Sequence, residues 1–369
     1  MAAATQVFAQ NRTTQIPASG LQELKTENVF LITLDGLRWQ ELFSGADPAL
    51  IANHDFVDDS VALKKQFWRA SPEKRREALM PFFWNVIARQ GQLYGNRTEG
   101  SFVNVTNPHW FSYPGYNEIM TGYADKRINS NDKLPNPNQT VLDFISGQPG
   151  FNGKAAAFGS WDVFPYILNA KRANYPINAG FDTVGSASPS GSLTERERLL
   201  NRLLHEIPPE WSSVRFDAFT HHYALEHLKK RHPRVLYVAY GETDDFAHGG
   251  AYDSYLRSAH QTDGFIQELW DYAQSDPQYK GKTTFIITTD HGRGTTLPGA
   301  WRSHGASVEG ADEIWIAVIG PDTPQANTSI KGEYYQNQIA ETVAAFLGLD
   351  FKTPHETGPV LKQAFGRFK

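Results

Sequence analysis

The chain has 369 residues, 40% hydrophobic and 13% aromatic, which is enough for a sizeable core and excludes a disordered polymer. A formal charge of −5 offers no basic footprint for nucleic acid and no attraction to an anionic membrane surface. With no cysteine, disulfides, thiolate nucleophiles and zinc–thiolate centres are excluded, and any metal must be held by His and carboxylates.

In chain order, residues 1–27 read as a polar tail. Its start, MAAATQVFAQNRTTQ, lacks the basic and apolar regions of an export signal. "VFAQ" fits either the scar of a cleaved signal or a frayed terminus, and a periplasmic or secreted location is expected. No stretch reaches the roughly 18 apolar residues of a membrane helix. NVFLITLDG (28–36) reads as a buried strand ended by Asp-Gly. Residues 45–70 look irregular. Residues 71–91 predict a helix with Ser71 as N-cap, Pro72 at N1 and Gly91 as stop, kinked or split at Pro81. Further helices are predicted over 139–147, 193–208, 216–233, 252–274 and 336–349. Further strands are predicted over 154–160, 234–240, 282–292 and 313–321. Strands alternating with helices predict an α/β fold, a mostly parallel central sheet with helices on both faces. Residues 28–369 read as a single domain in which 45–110 form a decorated insertion.

Three of the strands end alike. The first delivers Asp35, the second Asp244 and His248, the third Asp290 and His291. Singly, each has a bland reading as a turn or a helix cap. Asp244 and His248 share a face if their segment is helical. In open α/β sheets, ligands sit beyond the carboxyl ends of strands, so the three ends would bring five metal-competent side chains to one edge. One catalytic zinc takes three protein ligands; five suit two ions about 3.5–4 Å apart. His304, in RSHGAS, supplies a sixth. Such ligands suit Zn, with Mn or Fe as alternatives. Ser112 in HWFSYPGYNEIMTG (109–122) stands before a helical stretch, where it is either an N-cap or a nucleophile activated by metal.

Order and spacing resemble the alkaline phosphatase superfamily, nearest to its nucleotide pyrophosphatase/phosphodiesterase branch. FLITLDGLR is similar to that branch's first metal-binding strand, SYPGYNEIMTG to its nucleophile segment with Ser112 in place of the usual Thr, and ETDDFAH to its Pro-Asp-x-x-Gly-His segment. TTDHG and SHG match the remaining ligand motifs, and the likeness runs from about 28 to 350. Gly115 and Tyr116 stand where Asn-His is usual, Thr243 and Ala247 replace Pro and Gly, and the span from Asp35 to Ser112 is long. The resemblance implies that Asp244, His248 and His304 hold one ion and that Asp35, Asp290 and His291 hold the other, beside Ser112. It implies hydrolysis of a small-molecule phosphate ester through a phosphoserine intermediate. Asn131 in KRINSN aligns with a phosphoryl-binding Asn. Trp161 and Asp162 leave their strand at the same edge, and Arg293 after Asp-His-Gly is a candidate anion clamp. A diester preference is expected, with Asn131 as a neutral donor and Trp161, Tyr113 and Tyr116 as walls, and with Lys126, Arg127 and Arg293 as competing clamps. Phosphomonoesterase, phosphomutase or phosphotransferase, and a binding module are the alternatives. Sulfatase is expected to be more distant, because Tyr116 stands where its Ser-x-Pro-x-Arg setting needs Arg.

Overall fold

The structure, a computed structural model, describes residues 24–185, 193–296, 299–326 and 329–366. The polar tail expected over 1–27, with its VFAQ segment, lies outside these residues except for 24–27. There the Thr26 amide and hydroxyl both donate to Asp322.

The strands are β1 (Asn28–Leu34), β2 (Gln92–Tyr94), β3 (Ser101–Asn104), β4 (Ala155–Gly159), β5 (Ile177–Ala179), β6 (Val235–Tyr240), β7 (Thr283–Thr288), β8 (Glu313–Ile314), β9 (Ile316–Ile319) and β10 (Gly332–Tyr335). Seven of them form one sheet in the order β2-β9-β7-β1-β6-β4-β5; β10, β3 and β8 form a second, small one. In the large sheet β1 runs parallel to β6 and β7, and β4 to β5 and β6. β9 runs against both its neighbours. The parallel strands are apolar throughout because helices cover both faces. Their two-residue period sorts Phe30, Ile32 and Leu34 into one core and Val29 and Leu31 into the other.

Register fixes what surfaces where. Leu34 lies opposite Tyr240, and Thr33 lies opposite Thr288. Continued by a step, this register brings Asp35 level with Gly241 and Asp290 at one edge. The Asp35 amide still donates to the Tyr240 carbonyl, so the aspartate is held by the sheet itself.

The 71–91 segment splits at its proline, as its sequence predicts. Pro72–Leu79 is an α-helix whose Ser71 cap accepts from the Lys74 amide. Past Pro81 the chain winds through a π-helical turn, Phe83–Ile87. The amides of Phe82 and Phe83 donate instead to the two carboxylate oxygens of buried Asp263, at 2.7 and 2.8 Å. Two expectations need correction. Residues 45–70 are not irregular throughout: Ser60–Phe67 is a helix capped by Asp59. It buries only Leu63 and Phe67 and exposes Val61, so its apolar stripe is too narrow to stand out in the sequence. The strand expected over 313–321 is two strands. They part at Trp315, whose indole N–H donates to the Leu37 carbonyl at 2.8 Å. Residues 92–94 of the excursion return to the large sheet as β2. Among the described residues no helix is long and apolar enough to cross a membrane.

Asp263→Ala leaves two buried amides without acceptors. At roughly 1–3 kcal/mol for each unpaired group, the expected loss is about 2–4 kcal/mol. Urea unfolding with an unchanged m-value measures it. A loss below about 0.5 kcal/mol would mean that the Asp263 contacts are not what holds this break in the helix.

Candidate functional site

The three strand ends meet. His291 Nε2 lies 3.3 Å from Asp35 Oδ1, 3.5 Å from Asp290 Oδ2 and 3.7 Å from Asp244 Oδ1. The Asp244–His248 segment is helical, Glu242–Gly249, and its i,i+4 pair closes to 3.2 Å. His304 arrives from its own loop, with Nε2 2.9 Å from His248 Nε2 and 3.7 Å from Asp244 Oδ1. Asp35, Asp244 and His291 form one group able to hold an ion, and Asp244, His248 and His304 form another. Asp244 is common to both.

Ser112 opens the Ser112–Thr121 helix and sets its Oγ 3.3 Å from His291 Nε2. His291 Nδ1 faces the Gly292 carbonyl at 2.9 Å. A carbonyl only accepts, so the ring proton sits on Nδ1 and the Nε2 lone pair faces Ser112 and the carboxylates. The loop into Ser112 is tied down at two levels. Asn107 Oδ1 accepts from the amides of His109 and Trp110. This holds Trp110 at φ 54°, a left-handed conformation that is unfavourable for a bulky residue. Glu118, fully buried one helical turn or more beyond Ser112, accepts from the amides and side chains of Thr106 and Asn107. Gly115 lets the helix approach the strand end opposite. A Cβ there would stand 2.3 Å from the Asp290 carbonyl oxygen.

Electrostatics at this edge are unbalanced. Burial, then the charge of Asp244, pushes Asp35 well above the usual carboxylate range, while the Tyr116 hydroxyl, donating at 2.9 Å, pulls it back. Burial and the charge of Asp35 do the same to Asp290. Asp244 goes the other way. Burial raises it too, but the Arg293 guanidinium at 2.6 Å and the hydrogen bond to His248 outweigh burial and hold it well below the carboxylate range. Burial, then the positive charge of His291 when protonated, brings His304 down to about 2, so its imidazole is neutral near pH 7. Asp35 Oδ1, Asp290 Oδ2 and His304 Nδ1 are buried without hydrogen-bond partners. Unpartnered carboxyl oxygens of Asp35 and Asp290 beside the neutral His304 imidazole and the His291 Nε2 lone pair form a donor set that fits divalent cations.

All seven expected ligand residues, Ser112 included, thus converge. Asn131 joins them: its Oδ1 accepts from the Tyr113 amide at 3.0 Å, one residue past Ser112. That contact orients the amide, leaving Nδ2 as the donor end. Trp161 reaches the same sheet edge, half-buried and edge-on to Phe164, with its backbone bridged to Val214. Arg293 is placed otherwise than expected. It is buried, and its donors go to Asp244, the Trp301 carbonyl and the Arg302 carbonyl, so it braces Asp244 and is not poised as an anion clamp. Arg127 is likewise held by Asp125. Tyr113 and Tyr116 are buried supports and not pocket walls: Tyr113 bonds the Leu134 and Tyr166 carbonyls, and Tyr116 bonds Asp35. Sequence reasoning missed Glu118, Gln336, whose amide donates to the Asp290 carbonyl at 2.6 Å, and Thr243, whose hydroxyl donates to the Asp35 carbonyl.

In an unobstructed helix, Gly115→Ala would add about 1 kcal/mol of stability. Here the contact with the Asp290 carbonyl reverses the sign, and a loss of about 2 kcal/mol is expected, the usual scale for overpacking. Thermal unfolding distinguishes the two, and a rise in Tm would show that the helix is free to shift away.

A family model described as sulfatase matches residues 102–349. No curated protein matches the chain. Among solved structures, wild-type alkaline phosphatase PafA is similar at 11% identity and TM-score 0.59, over 94% of this chain and 100% of that one. BT1596, a 2-O GAG sulfatase, is similar at 10% identity and TM-score 0.57, over 89% of this chain and 72% of that one. The lipoteichoic acid synthase LtaP from Listeria monocytogenes is similar at 12% and 0.55, over 88% and 72%. These likenesses are of fold. The distance expected from sulfatases is thereby corrected: the segment that matches their model carries Ser112 and five of the six ligand positions. The chain belongs to the sulfatase family, within the alkaline phosphatase superfamily.

Proposed function

We propose that the protein hydrolyses a phosphoric ester through Ser112, with diesters as the preferred class. The observation that carries this is the convergence of one serine hydroxyl, three imidazoles and three carboxylates at one sheet edge, with the His291 lone pair 3.3 Å from the Ser112 oxygen. Asp244, His248 and His304 would hold one divalent ion, and Asp35, Asp290 and His291 the other. Zinc is the first choice for so nitrogen-rich a set, with manganese or iron as alternatives. When bound, the ions would supply charge neutralisation and polarise the oxygens that approach them. Ser112 Oγ, its proton passing to solvent, bonds to phosphorus as one ester oxygen departs with its electron pair and takes up a proton. Water then adds its oxygen to the phosphorus, and the Oγ–phosphorus bond breaks with its electron pair to Oγ. A proton restores the Ser112 hydroxyl, and the phosphate leaves with the remaining ester group. The N-terminal amides of the Ser112–Thr121 helix favour an anion at that point.

The diester preference rests on what faces the anion. Asn131 offers an uncharged amide donor. Arg293 and Arg127 are committed to aspartates, and Lys133 pairs with Asp162 at 2.7 Å. A doubly charged monoester would meet no uncommitted guanidinium among these, whereas a diester carries one charge and a second organic group. Sulfate-ester hydrolysis is the second reading. The sulfatase family match supports it, and a sulfate ester is, like a diester, a single negative charge around a tetrahedral centre. Phosphoryl transfer to another acceptor would use the same serine.

Three measurements test this. Ser112→Ala should lose roughly 10³-fold or more in turnover while metal content holds, and Ser112→Thr should keep part of the activity. Full activity in the alanine variant would remove Ser112 from the chemistry. The His248→Ala/His304→Ala double variant should bind one equivalent of zinc fewer than wild type after dialysis, and equal content would remove the second ion. Values of kcat/KM for matched aryl phosphate, methyl aryl phosphate and aryl sulfate rank the substrates. A monoester or sulfate advantage above about 10-fold, 1.4 kcal/mol of transition-state preference, would overturn the diester assignment.

A further inference from the structure

Two long helices, Asp217–Arg231 and Tyr252–Ser275, cover one face of the sheet. Where they meet stands a group of side chains that the proposed reaction does not use. His221 and His222 come from the first helix and Glu268 from the second. The His221 ring is fully buried and stacks on Phe265, with centroids 4.3 Å apart and planes 10° apart. Its Nε2 lies 2.8 Å from Glu268 Oε2, and its Nδ1 lies 3.1 Å from the Tyr240 hydroxyl. The His222 ring stands edge-on to it at 5.0 Å. His222 Nδ1 is buried and has no hydrogen-bond partner. One nitrogen from each ring and one Glu268 oxygen lie within 4.8 Å of one another.

We propose that His221, His222 and Glu268 form a further divalent-cation site, separate from the strand-end cluster, for an ion of the zinc class that clamps the two helices together.

The chemistry of the donors suits this. Burial holds both imidazoles below their ordinary pKa, so each presents a neutral ring, and the His221 hydrogen bond keeps Glu268 ionised. Two neutral nitrogens and one carboxylate are the ligand types that zinc takes with three protein groups, water completing the shell. Glu268 is about half exposed, which gives the ion a way in. Without metal, His221 donates from Nε2 to Glu268 and accepts at Nδ1 from Tyr240. With metal, the ring proton sits on Nδ1 and is donated to the Tyr240 oxygen, and Nε2 is left free to ligate. The tyrosine changes from donor to acceptor and no proton need leave the ring. Lys229 and Arg196 are near enough for their charges to oppose the ion, which limits the affinity. Tyr240 is the last residue of β6, so the clamp would brace the strand end from which the Glu242–Gly249 helix departs.

The inference does not depend on the proposed reaction, and its test is chosen accordingly. Equilibrium dialysis against zinc alone compares wild type with Glu268→Gln and with His222→Ala. Glu268 is exposed enough for its glutamine variant to fold, and far-UV circular dichroism checks that it does. Wild type is expected to bind one equivalent more than Glu268→Gln, or to bind that equivalent at least about ten-fold more tightly, 1.4 kcal/mol. His222→Ala should behave in the same way. Hydrolytic activity of Glu268→Gln should equal that of wild type. Equal stoichiometry and affinity in wild type and Glu268→Gln overturn the site, leaving a buried histidine paired to a surface glutamate. The His248→Ala/His304→Ala variant must lose a different equivalent, so a failure of the strand-end site and a failure of this one give different patterns.

Discussion

Burial of three aspartates around one imidazole is the constraint that most shapes this molecule. Asp35, Asp244 and Asp290 all lie within 3.7 Å of one imidazole nitrogen, at the mouth of a sheet whose interior is hydrocarbon. Like charges so close and so little hydrated raise each other's pKa and weaken the fold that gathers them. Several neighbours at this edge answer that problem in part. Arg293 neutralises Asp244, the Tyr116 hydroxyl and the Gly36 amide donate to Asp35 and Asp290, and the histidines supply lone pairs where cations would bind. The remainder of the imbalance is what the proposed cations would offset.

The fold supplies positional accuracy by the stiffest means available. Asp35 and Asp290 sit one and two residues beyond paired parallel strands, so the ladder sets their separation. Asp244 and His248 ride a helix that begins two residues after β6. Ser112 depends on a loop, and loops are compliant. The loop is therefore bound to its own helix by Glu118, whose carboxylate gathers four donors from Thr106 and Asn107 in a dry environment.

Much of this was legible in sequence, and the reason is local. A buried parallel strand is a run of apolar residues, and a run that stops in Asp or Asp-His announces both the strand end and the polar side chains that gather there. The i,i+4 spacing of Asp244 and His248 needed only a helix to become a pair. What escaped depends on partners far along the chain. Tyr116 acts on Asp35 from 81 positions away, and Arg293 acts on Asp244 from 49. Neither has a periodicity to betray it, so a tyrosine reads as a wall and an arginine as a clamp. Gly115 counted only as a departure from a pattern, because a close approach of two backbones leaves no trace in residue types. The Ser60–Phe67 helix went unseen because two buried side chains do not make a stripe.

The approach at Gly115 also bears on how such a site could diversify. The proposed nucleophile's helix rests against main-chain atoms of the strand end that carries Asp290, so the spacing between attacking group and ligands is gauged by backbone on backbone. Side chains proposed to read the rest of a substrate, Trp161 and the surroundings of Lys133, come from other segments and stand outside that backbone contact. Lineages could therefore replace the reading surface residue by residue while the reacting distances stayed as they were. A single scaffold can on that footing pass from one tetrahedral oxyanion ester to another without first becoming inert.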